Sequence, residues 1–119
     1  MDYFEQIKIK RTIVELVECI FKKYELYFGY EKNINHVYYY IQGYISSKIE
    51  SNEADGVDEK FHYDFNEWLY KKYNKKVEHR MAWNQLYIEL FVDEDERLNT
   101  FYFDFIEFIN YGDDLNVLP

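Results

Sequence analysis

The sequence has few of the residues that define disulfide-linked or turn-rich proteins. It holds one cysteine, one proline and four glycines in 119 residues. Cys19 has no partner for an internal disulfide, and its position in an apolar helical pattern favours a buried thiol. The scarcity of proline and glycine argues against a β-sandwich and favours long, uninterrupted helices.

Long apolar segments are also missing. No apolar run approaches the length of a membrane span. The first ten residues, MDYFEQIKIK, carry charges where a signal peptide would have its apolar core. We therefore expect a cytoplasmic protein with no membrane partner.

Aromatic residues, by contrast, are abundant. They make up 22% of the chain, with 14 tyrosines and 10 phenylalanines, and hydrophobic residues make up 48%. A chain of this length and composition can bury one core, so residues 1–119 are predicted to form a single domain. Some tyrosines are expected at the surface, because each buried hydroxyl needs a hydrogen-bond partner.

The net charge of −9 arises entirely from the second part of the chain. Residues 1–50 hold seven cationic and seven acidic side chains, whereas residues 51–119 hold seven cationic and sixteen acidic ones. Direct binding of nucleic acid is disfavoured, because phosphate contacts need cations. A basic protein is the expected partner, since electrostatic attraction would steer its association.

Apolar residues at helical spacing predict a mostly α-helical bundle of about five helices. Gly29 and Gly112 are expected to end the first and the last of these helices. The expected helix starts, most of them at residues that cap helices, are Asp2, Asn33 or Asn35, Asp58 or Asp64, Ala82 and Asp93.

The last predicted helix begins at an acidic cap. Asp93 and Glu96 have the spacing of a capping box, in which each side chain accepts a hydrogen bond from the backbone of the other. The apolar face that follows this cap is predicted to contain Leu98, Phe101, Tyr102, Phe105 and Ile109.

Three stretches also fit β-strands, so an α+β fold is the alternative. Residues 37–41 are rich in β-forming side chains, residues 86–92 have a blurred helical period, and the phenylalanines in 101–106 alternate. Tyr39 and Tyr40 project off the apolar stripe of the second helix. One of them is a candidate surface contact.

No catalytic or metal-binding motif is recognisable. None of the three histidines has a second histidine or cysteine at a ligand spacing. Asp93, Asp95 and Asp104 resemble a calcium loop only in part, because the central glycine is missing. We therefore expect no cofactor and no metal, and the sequence does not predict an enzyme.

Two acidic groups are the candidate partner-binding residues. If loops at one end of the bundle bring them together, they form one negative patch, and nearby exposed tyrosines would anchor a partner. The simpler interpretation is that these carboxylates keep an aromatic-rich protein soluble. The first acidic group is Glu53, Asp55, Asp58 and Glu59, and the second acidic group is Asp93, Glu94, Asp95 and Glu96.

Three segments follow one another from Phe61 onward: an aromatic helix, FHYDFNEWL, a tryptophan-containing helix, AWNQLYIELF, and an acidic cap with a Phe/Tyr helix, DEDERLNTFYFDFIEFI. This order resembles helical immunity proteins of bacterial polymorphic toxin and contact-dependent inhibition systems. The resemblance covers under half of the chain and carries over no individual residue. It implies a small, acidic, cytoplasmic protein that neutralises a toxin by covering its active site or another essential surface.

We therefore expect a protein that binds and neutralises a basic partner, with a cognate bacterial toxin as the first candidate. Two alternatives stay open. A phage-type acidic inhibitor that mimics nucleic acid would be favoured by carboxylates at phosphate-like spacing, whereas a compact patch favours an immunity protein. A small enzyme of unknown reaction would be favoured by a deep pocket with strongly shifted ionisable groups.

Overall fold

The computed structural model describes residues 11–76 and 82–112, and the regular structure within these ranges is helical. The prediction of a mostly α-helical bundle is confirmed. The three stretches that also fitted strands lie instead in helices α3, α5 and α6, apart from residues 91 and 92, which follow α5. Six helices lie in the described ranges: α1 (Ile13–Lys22), α2 (Tyr24–Phe28), α3 (Ile34–Glu50), α4 (Gly56–Lys72), α5 (Trp83–Leu90) and α6 (Glu94–Tyr111).

The first predicted helix is divided at Lys23, where φ of −133° and ψ of 46° interrupt the helical backbone. The short helix α2 follows and ends at Gly29, as predicted. Gly29 has a φ of 76°, which glycine adopts without steric cost. Thr12 caps α1 through a capping box with Glu15. The predicted cap Asp2 lies outside the described residues.

Two of the predicted helix starts are confirmed by hydrogen bonds. The Asn33 side chain accepts from the backbone N–H of Asn35 at 2.9 Å, which caps α3. The Asp93 carboxylate accepts from the N–H of Glu96 at 3.2 Å, which caps α6. Each cap satisfies a backbone donor that the first turn of the helix leaves unpaired.

A third predicted start is wrong. Helix α4 begins at Gly56, directly after Asp55, so neither Asp58 nor Asp64 is its cap. Asp58 lies in the first turn of α4, where its carboxylate accepts a hydrogen bond from the backbone N–H of Asp55 at 2.9 Å. The fourth predicted segment, which began with Ala82, is a helix that starts one residue later, at Trp83.

The core is built largely from aromatic rings of α4, α5 and α6. Trp83 of α5 stacks on Phe101 of α6, with ring centroids 4.4 Å apart. Phe65 of α4 meets Phe101 and Phe108 edge-on, at 6.0 and 5.3 Å. Such offset and edge-to-face pairs add to the stabilisation from burial alone. Aliphatic residues of α1 and α3 complete the core: Ile13, Leu16, Val17, Ile20, Ile34, Val37, Ile41 and Ile45.

The buried face of α6 is rotated from the predicted one. Leu98, Phe101 and Phe105 are buried as predicted, but Tyr102 and Ile109 are only partly buried. Phe108 and Asp104 take part in the core instead. None of the helices in the described ranges is both long enough and apolar enough to cross a membrane.

Candidate interaction surfaces

The first acidic group is divided between the surface and the core. Glu53, Asp55 and Glu59 are exposed around the connection between α3 and α4. Asp58 is fully buried. It cannot meet a partner at the surface, so we remove Asp58 from the predicted partner-binding residues.

Asp58 instead joins three helix ends. Its Oδ1 accepts a hydrogen bond from the N–H of Ile13, the first residue of α1, at 2.7 Å. Its Oδ2 accepts from the Lys48 ammonium near the end of α3 at 2.7 Å, and from the N–H of Asp55 before α4. Burial lowers the pKa of Lys48, but the hydrogen bond and charge of Asp58 outweigh burial and leave this pKa raised.

Within the second acidic group, Glu94 fastens α6 to the start of α3. Its Oε2 accepts from the N–H of Ile34 at 2.9 Å, and its Oε1 pairs with the Arg97 guanidinium at 2.6 Å. Arg97 also donates to the carbonyl oxygen of Phe91 at 2.7 Å. Glu94 is therefore partly occupied by contacts within the chain.

The other members of the second acidic group are exposed but differ in their contacts with neighbouring side chains and backbone. Asp95 forms an ion pair with Lys32 at 2.8 Å, and both side chains are more than half exposed. Asp93 is exposed while capping α6, and Glu96 is also exposed. This group therefore keeps part of its charge at the surface, beside a lysine and an arginine.

The two acidic groups do not form one negative patch. The bond between Glu94 and Ile34 places the second group at the first residue of α3, whereas Glu53 and Asp55 follow the last. Helix α3 has 17 residues, so its length of about 25 Å separates the groups. The expectation of a single patch is therefore wrong. In the described ranges, no ion pair involves Glu53, Asp55 or Glu59.

An uncharged face runs along the outside of α3 toward the first acidic group. Tyr39 is 70% exposed and Tyr40 is 43% exposed, so both tyrosines reach the surface. The first charged residue on this side of the helix is Glu50. We define the α3 outer face as the exposed residues before Glu50, namely His36, Tyr39, Tyr40, Gly43, Ser46 and Ser47.

Helix α2 widens the aromatic end of the α3 outer face. None of its residues is fully buried. The rings of Tyr27 and Phe28 each meet Tyr40 edge-on, with centroids 5.5 and 5.6 Å apart. Leu26 and Tyr30 are 80% and 87% exposed. The spacing of apolar residues in the sequence did not predict this surface.

A surface cavity of about 460 Å³ lies beside α2. Residues between positions 21 and 32 line it, with Lys22, Lys23 and Lys32 among them and an apolar contribution from Phe21 and Leu26. In the part of the chain that the structure describes, no group of three or more His, Cys, Asp or Glu side chains is placed to hold a metal ion.

The most strongly shifted ionisable groups surround Asp104, in the core. The Tyr73 and Tyr87 hydroxyls both donate to its Oδ2 at 2.7 Å, and Lys72 donates to its Oδ1. Burial raises the pKa of Tyr87 well above its usual value, and the charge of Asp104 raises it further. Burial and the bond to Asp104 likewise raise the pKa of Tyr73. None of these residues lines the cavity beside α2.

Comparison of the chain with protein-family models, with curated proteins and with solved structures gives no match. A functional proposal therefore depends on the chemistry of the surfaces described above.

Proposed function

We propose that this chain is a cytoplasmic protein that binds and neutralises a basic partner protein, with a cognate bacterial toxin as that partner. The observation that carries the proposal is the set of exposed carboxylates at the α3–α4 connection, Glu53, Asp55 and Glu59. Within the described residues, none of the three forms an ion pair. A basic surface is the natural complement to such charges.

The proposed mechanism is steric occlusion. Carboxylates attract the basic partner from a distance and raise the rate of encounter, an effect that salt weakens. Exposed tyrosines such as Tyr39 and Tyr40 then supply rigid contact area, which is typical of residues that dominate binding energy. The bound chain covers an essential surface of the toxin.

The position of the three carboxylates supports partner binding over mimicry of nucleic acid. Glu53, Asp55 and Glu59 lie within seven residues at one connection. They form a compact group and not an extended series at phosphate-like spacing. A compact group suits one basic site on a protein.

Charge reversal tests the proposal. The probe is the protein encoded by the reading frame next to this one, expressed with and without the chain while growth is followed. The triple variant Glu53→Lys, Asp55→Lys and Glu59→Lys is expected to slow association at least about tenfold at low salt and to weaken growth protection. Stopped-flow association and growth curves measure the two effects.

The matched control reverses three exposed acids elsewhere on the chain, Glu18, Glu31 and Asp64. The control changes the net charge by the same amount, so a smaller effect on association would locate the contact. Association that is insensitive both to salt and to reversal of the first acidic group would contradict the proposal.

A further inference from the structure

The α3 outer face is unlike the outer faces of the neighbouring helices. Charged residues make up 31% of the chain, yet this face carries none from His36 to Ser47. The outside of α4, a helix of equal length, carries Glu59, Asp64 and Glu67 among its exposed residues. Depletion of charge together with exposed tyrosine is typical of the centre of a protein interface.

Gly43 lies in the middle of this face and has no packing role within the described chain. A Cβ atom built at Gly43 would meet no atom within 4 Å. Glycine is a weak helix former, so its place inside α3 lowers the stability of the helix without any gain from packing. Together with Ser46 and Ser47, Gly43 leaves a shallow surface on which a second backbone can approach closely.

The two ends of the α3 outer face differ in chemistry. The rings of Tyr39 and Tyr40 lie at its first end, and Glu50, Glu53 and Asp55 follow its last end. The eleven helical steps from Tyr39 to Glu50 span about 16 Å, which is three turns of helix. An occupant of this length meets aromatic rings at one end and carboxylates at the other.

One cation of the chain already contacts this aromatic surface. The Arg11 guanidinium donates to the hydroxyl of Tyr27, and the ring of Tyr27 meets Tyr40 edge-on at 5.5 Å. Tyrosine faces also attract guanidinium groups through their ring electrons. A basic side chain therefore suits the end of the α3 outer face at Glu50 and Glu53, where an acidic segment would be repelled, and the tyrosine rings can pack on the apolar side of the same segment.

From these observations we infer that the α3 outer face is the docking site for a basic amphipathic helix of the partner protein. This inference depends on the proposed function and names the surface through which it acts. Tyr39 and Tyr40 anchor the docked helix, Gly43 permits its close approach, and the first acidic group attracts its basic end.

Two probes test the inference. One is the toxin domain from the neighbouring reading frame. The other is a synthetic amphipathic helical peptide with arginine on one face and leucine on the other, compared with a glutamate-for-arginine counterpart. The variants are Tyr39→Ala and Gly43→Gln. The control is Tyr63→Ala, because Tyr63 is 65% exposed on α4, close to the 70% of Tyr39.

Tyr39→Ala and Gly43→Gln are each expected to weaken binding of both probes at least about tenfold, whereas Tyr63→Ala changes it less than about twofold. Titration calorimetry measures the dissociation constants. Gly43→Gln is expected to keep or raise the melting temperature, because the space is open and glutamine is the better helix former. Lost binding in this variant therefore cannot come from unfolding.

The outcomes separate the inference from the proposed function. If the toxin is neutralised equally well by all variants, the function stands and the docking site is wrong. If the toxin is not bound but the arginine peptide is, with the expected variant pattern, the docking site stands and the toxin proposal fails. If neither probe is bound, both are wrong. A dimer that Gly43→Gln dissociates, detected by sedimentation, would assign the face to a second copy and overturn the inference.

Discussion

Asp58 and Asp104 are both buried aspartates, 0% and 2% exposed, and both pair with a lysine. They differ in what else they bind. Asp58 accepts two backbone N–H groups, from Ile13 and Asp55, and ties together the ends of three helices. Asp104 accepts two side-chain hydroxyls at the middle of α6. A partner on the backbone cannot be removed by substitution, whereas a partner on a side chain can, so the two aspartates should tolerate mutation differently.

The largest expected effect is that of Asp58→Ala. The change leaves two backbone donors unpaired and Lys48 without its counter-charge in a buried position. Breaking a buried ion pair from one side costs about 3–5 kcal/mol in the free energy of unfolding. Urea unfolding measures the loss. Asp64→Ala on the same helix is the control, since Asp64 is exposed and the expected change is within about 0.5 kcal/mol. If Asp58→Ala lowered the free energy of unfolding as little as the control does, Asp58 would not have the structural role described above.

A somewhat smaller loss, about 2–4 kcal/mol, is expected for Asp104→Ala. Lys72 keeps an ion pair with Glu107 at 2.6 Å, so the lysine is not left unpaired. Adding Tyr73→Phe and Tyr87→Phe removes the two hydroxyls that lose their acceptor. The triple variant is therefore expected to be at least as stable as Asp104→Ala alone. A buried hydroxyl without a hydrogen-bond partner lowers the free energy of unfolding more than removing that hydroxyl does. If the triple variant instead lost the sum of the stabilities lost by the three single variants in urea unfolding, this account would be contradicted.

The smallest expected effect concerns the tyrosines beside Asp104. It is absent near neutral pH and appears only in alkaline solution. The pKa values of Tyr73 and Tyr87 are raised in the folded state. Above pH 10 the unfolded chain releases these protons first, so the folded state loses stability as the pH rises toward the folded pKa values. Each retained proton contributes a slope of about 1.4 kcal/mol per pH unit. Replacing both tyrosines by phenylalanine should flatten the fall in unfolding free energy between pH 9 and 11.

The neighbourhood of Asp58 also contains groups that lose their protons in alkali, so the two regions can be compared in the same pH titration of stability. Burial raises the pKa of Tyr44, and the pKa of Lys48 is also raised, so the double phenylalanine variant still loses some stability in alkali. Asp64→Ala is expected to show the wild-type profile. An unchanged slope in the double variant would mean that Tyr73 and Tyr87 titrate normally in the folded state.

Local signals in the sequence predicted much of the fold. The cap at Asp93 is decided by side chains within three residues and was identified from the sequence, whereas the sequence left Asn33 and Asn35 as alternatives and the structure selects Asn33. The break at Lys23 could not be predicted from the spacing of apolar residues, because Ile20 and Phe21 before it and Tyr24 and Phe28 after it continue one helical pattern. The buried place of Asp104 had a partial signal, since it lies three and four residues from Phe101 and Phe108 on one helical face.

The candidate surfaces were harder to predict than the helices. Asp58 accepts a hydrogen bond from the backbone of Ile13, which is 45 residues away in the chain. No local sequence pattern predicts such a contact. The separation of the two acidic groups depends on which helix ends meet, and the contact between Glu94 and Ile34 decides it. The sequence placed Tyr39 and Tyr40 off the apolar stripe of the second helix and made one of them a candidate surface contact, but it did not predict the charge-free face that extends beyond them. The exposure of that face depends on how the rings of α2 pack against Tyr40.

The burial of both tryptophans has an optical consequence. Trp68 is 5% exposed and Trp83 is 2% exposed, and they are the chain's two indoles. Trp68 meets Phe108 at 5.3 Å and Trp83 stacks on Phe101, so both indoles lie against α6. An indole shielded from water emits at shorter wavelength than a hydrated one. When α6 separates from α4 and α5, both emissions shift to the red, so the protein carries two intrinsic fluorophores at its own core and needs no attached dye.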